Sequence, residues 1–252
     1  MRLLLSVLTA AVLGITAWVV GLTPADPGSA GRVTVDGDVD HDRLAAYKVG
    51  LLTPSGFDTY DVRSASGATM VAAPGANTGE NLRVVLWRPS DAESVDQHSC
   101  ATIHAEDHDQ QPGVALRIRT AQGRTQAVTV TKNVWLGMHA VFNVHVMDSG
   151  ATVPFHQVGA VDLTRALLGA QGRAVPYPWR LCARAQGDTV EVLAWPAGES
   201  APAWGDPDHG GQVPLPPGWR ASGYPGLYVG HLPAGHTVGF SEVTGRTATI
   251  VP

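Results

Sequence analysis

The chain has 252 residues, a formal charge of -5 and 15% charged residues. Ordinary globular domains carry about 25% charged residues, so the surface here is sparse in charge and its sign is wrong for gripping a phosphate backbone. Gly 29 and Pro 18 are high counts, but they lack the period of collagen and the bias of a disordered tract. Nucleic-acid binding, fibrous and unstructured classes are thereby excluded.

Residues Leu3 to Leu22 are almost continuously apolar after a single Arg2, broken only by Ser6, Thr9, Gly14, Thr16 and Gly21. Such a stretch is long enough for a membrane anchor of about 20 residues. It equally suits the apolar core of a secretory signal, with Gly28-Ser29-Ala30 as a weak cleavage site before Gly31. Both readings expect an N-terminal hydrophobic helix over 1–22 and an exported chain. In the anchored form Arg2 stays inside and residues 3–22 hold the chain in the membrane. Residues 23–32 are rich in Pro, Gly and Ala and read as a linker. Residues 33–252 show one composition regime and no repeats, which implies a single domain.

Beyond the linker come short apolar or alternating runs divided by Gly, Pro, Asn and Asp. Val33 to Val35 is the first, and Leu82 to Trp87 is a clearer strand, stopped by Pro89. Cys100 to His104 follows. Cys100 and Cys182 are the two cysteines. An even count in an exported chain favours one disulfide between them over a metal pair or a free thiol. Val114 to Thr120 and Ala127 to Thr131 predict a hairpin, with Val114, Leu116 and Ile118 on one face and Arg117 and Arg119 on the other. Val134 to Met147 reads as one long strand. Leu136, Ala140, Phe142 and Val144 share its apolar face, and Trp135, His139, Asn143 and His145 share a half-polar one. Asp162 to Leu168 is a helical fragment of two turns, with Asp162 as its cap. Arg180 to Gln186 and Thr189 to Trp195 form the strongest hairpin, joined by Gly187-Asp188, with Glu191, Leu193 and Trp195 on one side. Pro196 to Pro225 is an ordered loop holding Trp204 and Trp219. Leu227 to His231, Thr237 to Glu242 and Thr247 to Val251 finish the chain as strands. Many short strands with turn-rich joints read as an all-β sandwich or barrel.

The C-terminal part resembles the concanavalin A-like lectin/glucanase superfamily, and more narrowly the laminin-G-like jelly rolls of secreted bacterial proteins. The likeness is carried by WRLCARAQGD over Trp179 to Asp188, VEVLAWPAGE over Val190 to Glu199, and Pro202-Ala203-Trp204. In such domains an arginine-bearing strand turns at a glycine, and the next strand ends in an aromatic before a Gly-Glu-x-x-Pro-x-Trp loop. Gly226 to Gly230 and Thr237 to Val243 fit the strands that close the sheet. The likeness runs from Trp179 to Ile250. It implies a two-sheet antiparallel jelly-roll sandwich, whose members include glycan binders, glycosidases and structural modules. Fold alone does not choose among them.

A glycosidase needs two neighbouring carboxylates, and the enzymatic relatives carry theirs as Glu-x-Asp-x-x-Glu on one strand. No such run occurs. Glu106-Asp107-His108-Asp109 is the nearest, in the context of a surface loop, and no catalytic residue is assigned. Asp36, Asp38 and Asp40 offer hard oxygens at alternate positions, as calcium prefers. With Glu242 on the late strand they are the candidate calcium ligands; otherwise no cofactor is implied. Asp206 and Asp208 beside His209 are a smaller cluster of the same kind. His139 and His145 share a strand face but stand about 20 Å apart, too far to share one zinc. The candidate ligand face is Trp135, His139, Asn143 and His145, where a ring for stacking lies beside amide and imidazole groups. The expected function is a non-catalytic secreted or surface-anchored module with a cell-envelope glycan or a surface protein as partner. A jelly-roll glycoside hydrolase and a purely structural envelope protein are the alternatives.

Overall fold

The computed structural model describes residues 32–37, 47–53, 58–65, 68–73, 82–105, 110–133, 140–169 and 173–247. The expected helix over 1–22 lies outside them. Among the described residues no helix is long and apolar enough to cross a membrane.

Fifteen strands and one helical turn make up the described fold. In chain order the strands are β1 Arg32–Gly37, β2 Lys48–Leu51, β3 Thr59–Ala65, β4 Ala68–Ala72, β5 Arg83–Trp87, β6 Gln97–Ala105, β7 Gln111–Ala121 and β8 Arg124–Lys132. There follow β9 Val141–Asp148, β10 Phe155–Asp162, the turn α1 Thr164–Leu167, β11 Trp179–Gln186, β12 Thr189–Pro196, β13 Gly210–Pro214, β14 Tyr224–Gly230 and β15 Thr237–Thr247. They form an eight-stranded sheet, β1-β3-β4-β15-β6-β11-β12-β13, and a seven-stranded sheet, β10-β9-β8-β7-β14-β5-β2. Late strands β14 and β15 are inserted between early ones in both sheets, as in a jelly roll. Pairing is antiparallel except that β1 runs parallel to β3. That is a departure from the all-antiparallel expectation.

Alternation builds the core. Val62, Ile103, Leu181 and Val192 of the larger sheet meet Leu86, Leu116, Val130 and Leu227 of the smaller one, all buried. Each such side chain contributes about 1.5–3 kcal/mol by leaving water. The β11–β12 hairpin forms in the expected register, Gln186 opposite Thr189 across Gly187-Asp188. The expected two-turn helix is shortened to one turn. Its N-cap is Leu163, while Asp162 ends β10 and accepts from the Thr164 N–H at 2.9 Å. The long strand expected from Val134 to Met147 is described only from Val141, and residues 134–139 lie outside the described set. β13 arises inside the proline-rich stretch, whose glycines and prolines hid it.

The outer face of the seven-stranded sheet is not a wet face. It carries a second buried cluster that includes Leu52, Val85, Ile118, Met147 and Tyr228. The sheet curls over this face. A Cβ on Gly50 of edge strand β2 would stand 2.7 Å from Thr125 Cγ2 of β8, although three strands separate β2 from β8 in the sheet order. Only a residue without a Cβ permits that approach. From the other edge, Phe155 of β10 receives the Arg83 guanidinium of β5 at 4.7 Å. Thr129 and Thr131, polar by type, are fully buried as a result.

A bulge in β7 changes the facing expected there. The register with β8 shifts between Leu116 and Arg119, and Arg117 takes φ 53, a left-handed conformation costly to a side chain with a Cβ. Leu116 faces the main core, Ile118 joins the second cluster, and Arg117 is buried rather than solvated. Its Nε donates to Val95 O at 2.9 Å, Nη1 to Trp219 O at 2.6 Å and Nη2 to Gly187 O at 2.6 Å. Its backbone N–H donates to Gln97 Oε1 at 3.0 Å.

Candidate functional site

The outward face of the eight-stranded sheet is built by the same alternation. The β6, β11 and β12 registers align Thr102, Arg180 and Trp195 in one row across the sheet. Cys100, Cys182 and Leu193 form the next row, and His98, Arg184 and Glu191 a third. Cys100 and Cys182 are directly opposed, with alpha carbons 4.1 Å apart, and are joined as the expected disulfide. Trp195 and Leu193 bury the bridge, with Trp204 packed against them. Arg184 lies over the Trp204 ring at 4.5 Å and donates through Nε to Glu191 Oε2 at 2.8 Å.

Strand β15 brings in a bulge. Ser241 pairs with Thr102 and Thr244 with Cys100, so Glu242 and Val243 together oppose Ala101. Glu242 has φ 49, a conformation that costs a non-glycine residue about 1–3 kcal/mol and collects at functional surfaces. Beside the bulge is an open groove of about 650 Å³, bordered by Thr102, His104, Arg180, Trp195, Ser241 and Glu242. The turn after β12, from Ala197 to Ala201, makes its far wall. Gly198 at φ 149 lets that turn close, with Glu199 N–H on Pro196 O.

Polar groups in the groove hold one another. Thr102 Oγ1 donates to Glu242 Oε2 at 2.7 Å. Arg180 Nη1 donates to Glu242 O at 2.8 Å and to Thr102 Oγ1 at 3.2 Å. Its contact with Glu242 Oε2 is longer, 3.5 Å, and that carboxylate is 73% exposed. Burial pushes the Arg180 guanidinium below its ordinary pKa, and Glu242 offsets this only in part. His104 Nε2 and Ser241 Oγ are hydrogen-bonded at 2.9 Å on the rim.

The residues singled out from sequence fall elsewhere. Trp135 and His139 lie outside the described residues. Asn143 is buried and His145 mostly so, both on the curled side of the smaller sheet. The His145 ring meets the edge of Phe155 at 6.3 Å. The described half of that row therefore does not present an open face, because the curl closes over it. Asp38 and Asp40 lie outside the described residues, as do Glu106 and Asp107. Asp36 is on β1, three strands from the β15 of Glu242; at about 4.8 Å per strand the two are not brought together. Glu242 is instead engaged by Arg180 and Thr102. Asp206 pairs with His209 at 3.1 Å and Asp208 with Arg165 at 2.6 Å. Among the described residues no group of three His, Cys, Asp or Glu could hold a metal. Glu191 and Glu242 also stand three strands apart, about 14 Å, beyond the roughly 5–9.5 Å of glycosidase carboxylate pairs.

The curled face has an electrostatic consequence. Burial, with Arg83 adding its charge, lowers the pKa of His145 to about 4 and that of His231 to about 4. His231 Nε2 is 2.6 Å from Arg83 Nη2. Unfolded histidine titrates near 6.5, so the unfolded chain takes up these protons first. The stability from keeping both rings neutral is complete above pH about 6.5 and is lost as pH falls toward 4. Discounted for partial exposure, about 2 kcal/mol in all is expected to disappear over that window. Urea melts at pH 7 and pH 4.5 measure it. The H145F/H231Q double variant should flatten the profile, and an unchanged slope would exclude these two rings as its source.

No known protein family is matched by the sequence, nor is any curated protein. Among solved structures, the chain is similar to the exoplasmic/lumenal domain of VIP36 in its Ca2+/Man3GlcNAc-bound form, with TM-score 0.48, 9% identity, and coverage of 82% of this chain and 85% of that one. It is similar to the CBM2 module of the evolved Dit of Lactobacillus casei BL23 phage J-1, with TM-score 0.43, 9% identity and coverage of 82% and 92%. An alginate lyase from Alteromonas sp. 272 is matched with TM-score 0.34, 11% identity and coverage of 81% and 94%. The two-sheet jelly-roll arrangement implied by the concanavalin A-like resemblance is present in the chain's own strand order.

Proposed function

We propose that the chain is an exported, non-catalytic module that binds a glycan of the cell envelope in the groove on the eight-stranded sheet. The observation that carries this reading is the fixed row Thr102-Arg180-Trp195 beside Ser241 and His104, walled by the Ala197–Ala201 turn. Hydroxyl, imidazole and guanidinium groups suit the dense hydroxyls of a sugar, and an indole edge suits its C–H face. The groups are already held by hydrogen bonds, which reduces the ordering cost of binding. Export is supported by the apolar run from Leu3 to Leu22 and by the disulfide, which persists in oxidising compartments. The protein is then secreted or anchored through residues 3–22.

A glycan array with the folded domain tests the reading. Hits are expected, and their affinity should fall about tenfold in H104A/S241A, the loss of one to two hydrogen bonds. The melting temperature should hold, since both side chains lie on the rim. Absence of any hit would leave a structural envelope role. Release of new reducing ends from a bound glycan would favour the hydrolase instead.

A further inference from the structure

Arg180 is tied down by one end only. Nη1 makes every hydrogen bond that this side chain has with the described residues, to Thr102 and Glu242. Its Nε and Nη2 make none. The side chain is 15% exposed and borders the groove. An arginine presents Nε and Nη2 as a planar fork whose spacing matches the two oxygens of a carboxylate. Glu242 does not use that fork. Its Oε2 touches Nη1 at 3.5 Å and is held more closely by the Thr102 hydroxyl at 2.7 Å.

We infer that the groove selects a carboxylate-bearing saccharide, a uronic acid unit whose carboxylate seats on the free Nε–Nη2 edge of Arg180. This rests on the glycan-binding reading and narrows it. The ring hydroxyls of such a unit would find Ser241 and His104, already paired at 2.9 Å. Trp195, next to Arg180 across the β11–β12 register, would flank the ring. Glu242 positions the arginine through its backbone oxygen, a role that survives loss of its charge. Glu199, across the groove, is the one further carboxylate that borders it among the described residues. The positive pole of the site is thus local to Arg180, so the ligand must place its charge there and not merely carry charge. A largely buried guanidinium, its pKa lowered by burial and only partly restored by Glu242, gains from such a partner.

The test is calorimetric titration of the folded, disulfide-bonded domain with oligosaccharides from galacturonan, alginate, hyaluronan and heparosan. Each is paired with its carboxyl-reduced neutral form. At least one uronate is expected to bind 30-fold or more tightly than its reduced form. That preference should vanish in R180Q and fall at least tenfold in R180K, which keeps the charge but lacks the fork. E242Q should keep the preference or strengthen it, with a near-native melting temperature. If R180Q is unstable, R180K together with the reduced ligands still decides. Equal binding of uronate and reduced forms would overturn the inference and leave the glycan reading standing. Binding of neither, with an empty glycan array, would overturn both. A preference that survives in R180Q would overturn the assignment to the arginine fork.

Discussion

Replacing Arg117 by methionine is expected to destabilise the fold by about 3–5 kcal/mol, a large part of the 5–15 kcal/mol typical of a domain. The guanidinium satisfies the carbonyls of Val95, Gly187 and Trp219 at once. Methionine fills similar space but donates nothing, so three part-buried carbonyls lose their donor. Each such loss costs about 1–3 kcal/mol. The charge balance fails as well, because Asp96 and Asp188 lie in the field of this cation. Asp96 Oδ1 also accepts from the Gly187 N–H at 2.9 Å, so the hairpin turn is gripped from two sides. The left-handed backbone at 117 stays strained whichever residue occupies it, and no gain compensates. Urea denaturation of R117M against R119M separates the clamp from a generic loss of charge. Arg119 should cost under about 0.5 kcal/mol. A cost below about 1 kcal/mol at Arg117 would show that the clamp is dispensable.

Removing the Cys100–Cys182 bridge is the second large effect. The two residues are 82 apart in sequence. Closing a loop of that length in the unfolded chain corresponds to about 4.5 kcal/mol on the loop-entropy account, and measured losses of native bridges run about 2–5 kcal/mol. The bridge adds to a ladder that already pairs β6 with β11 from Gln97 to Ile103 through the backbone. The C100S/C182S variant should therefore fold to the same sheets and melt at much lower denaturant. It also places two hydroxyls beneath Trp195 and Leu193, where the bridge had been a small apolar floor. Wild-type protein in a phosphine reductant should approach the variant's midpoint. Coincident curves for reduced and oxidised protein would refute a contribution from the bridge.

What could be read in the residues was alternation, and alternation gave the hairpins. Glu191, Leu193 and Trp195 share the outward face of β12, as their spacing predicts, and the two cysteines meet across β6 and β11. Strands of low apolar contrast are hard to read: β2 and β4 have four and five residues, β3 offers only Tyr60 and Val62 as large apolar side chains, and β13 lies among glycines and prolines. The closed side of the seven-stranded sheet was also hidden. Its threonines and histidines look solvated in a list, because nothing local announces that β2 will fold over β8 to meet Thr125. Arg117 was hidden for a related reason. A bulge has no signature in β7, and one inserted residue turns an outward arginine inward. The groove was partly visible. Arg180 and Trp195 lie in the motif that carries the family resemblance, and Glu242 was singled out as a ligand. Their convergence with Thr102 and Ser241 depends on β15 being inserted beside β6, a long-range event that no window of sequence contains.

Closure of both faces of the smaller sheet divides the molecule's freedom to change. Strands β5, β7, β8, β9 and β14 carry neighbours on each side, so almost every substitution there must repack one layer or the other. The outward face of the larger sheet carries only the small cluster around the Cys100–Cys182 bridge, and away from that bridge its outward positions and the turn after β12 can vary without disturbing the main core. The border of the groove can thus be rewritten at outward positions of β6, β11, β12 and β15 away from the bridge, with the fold left intact. The curled half would serve throughout as a chassis.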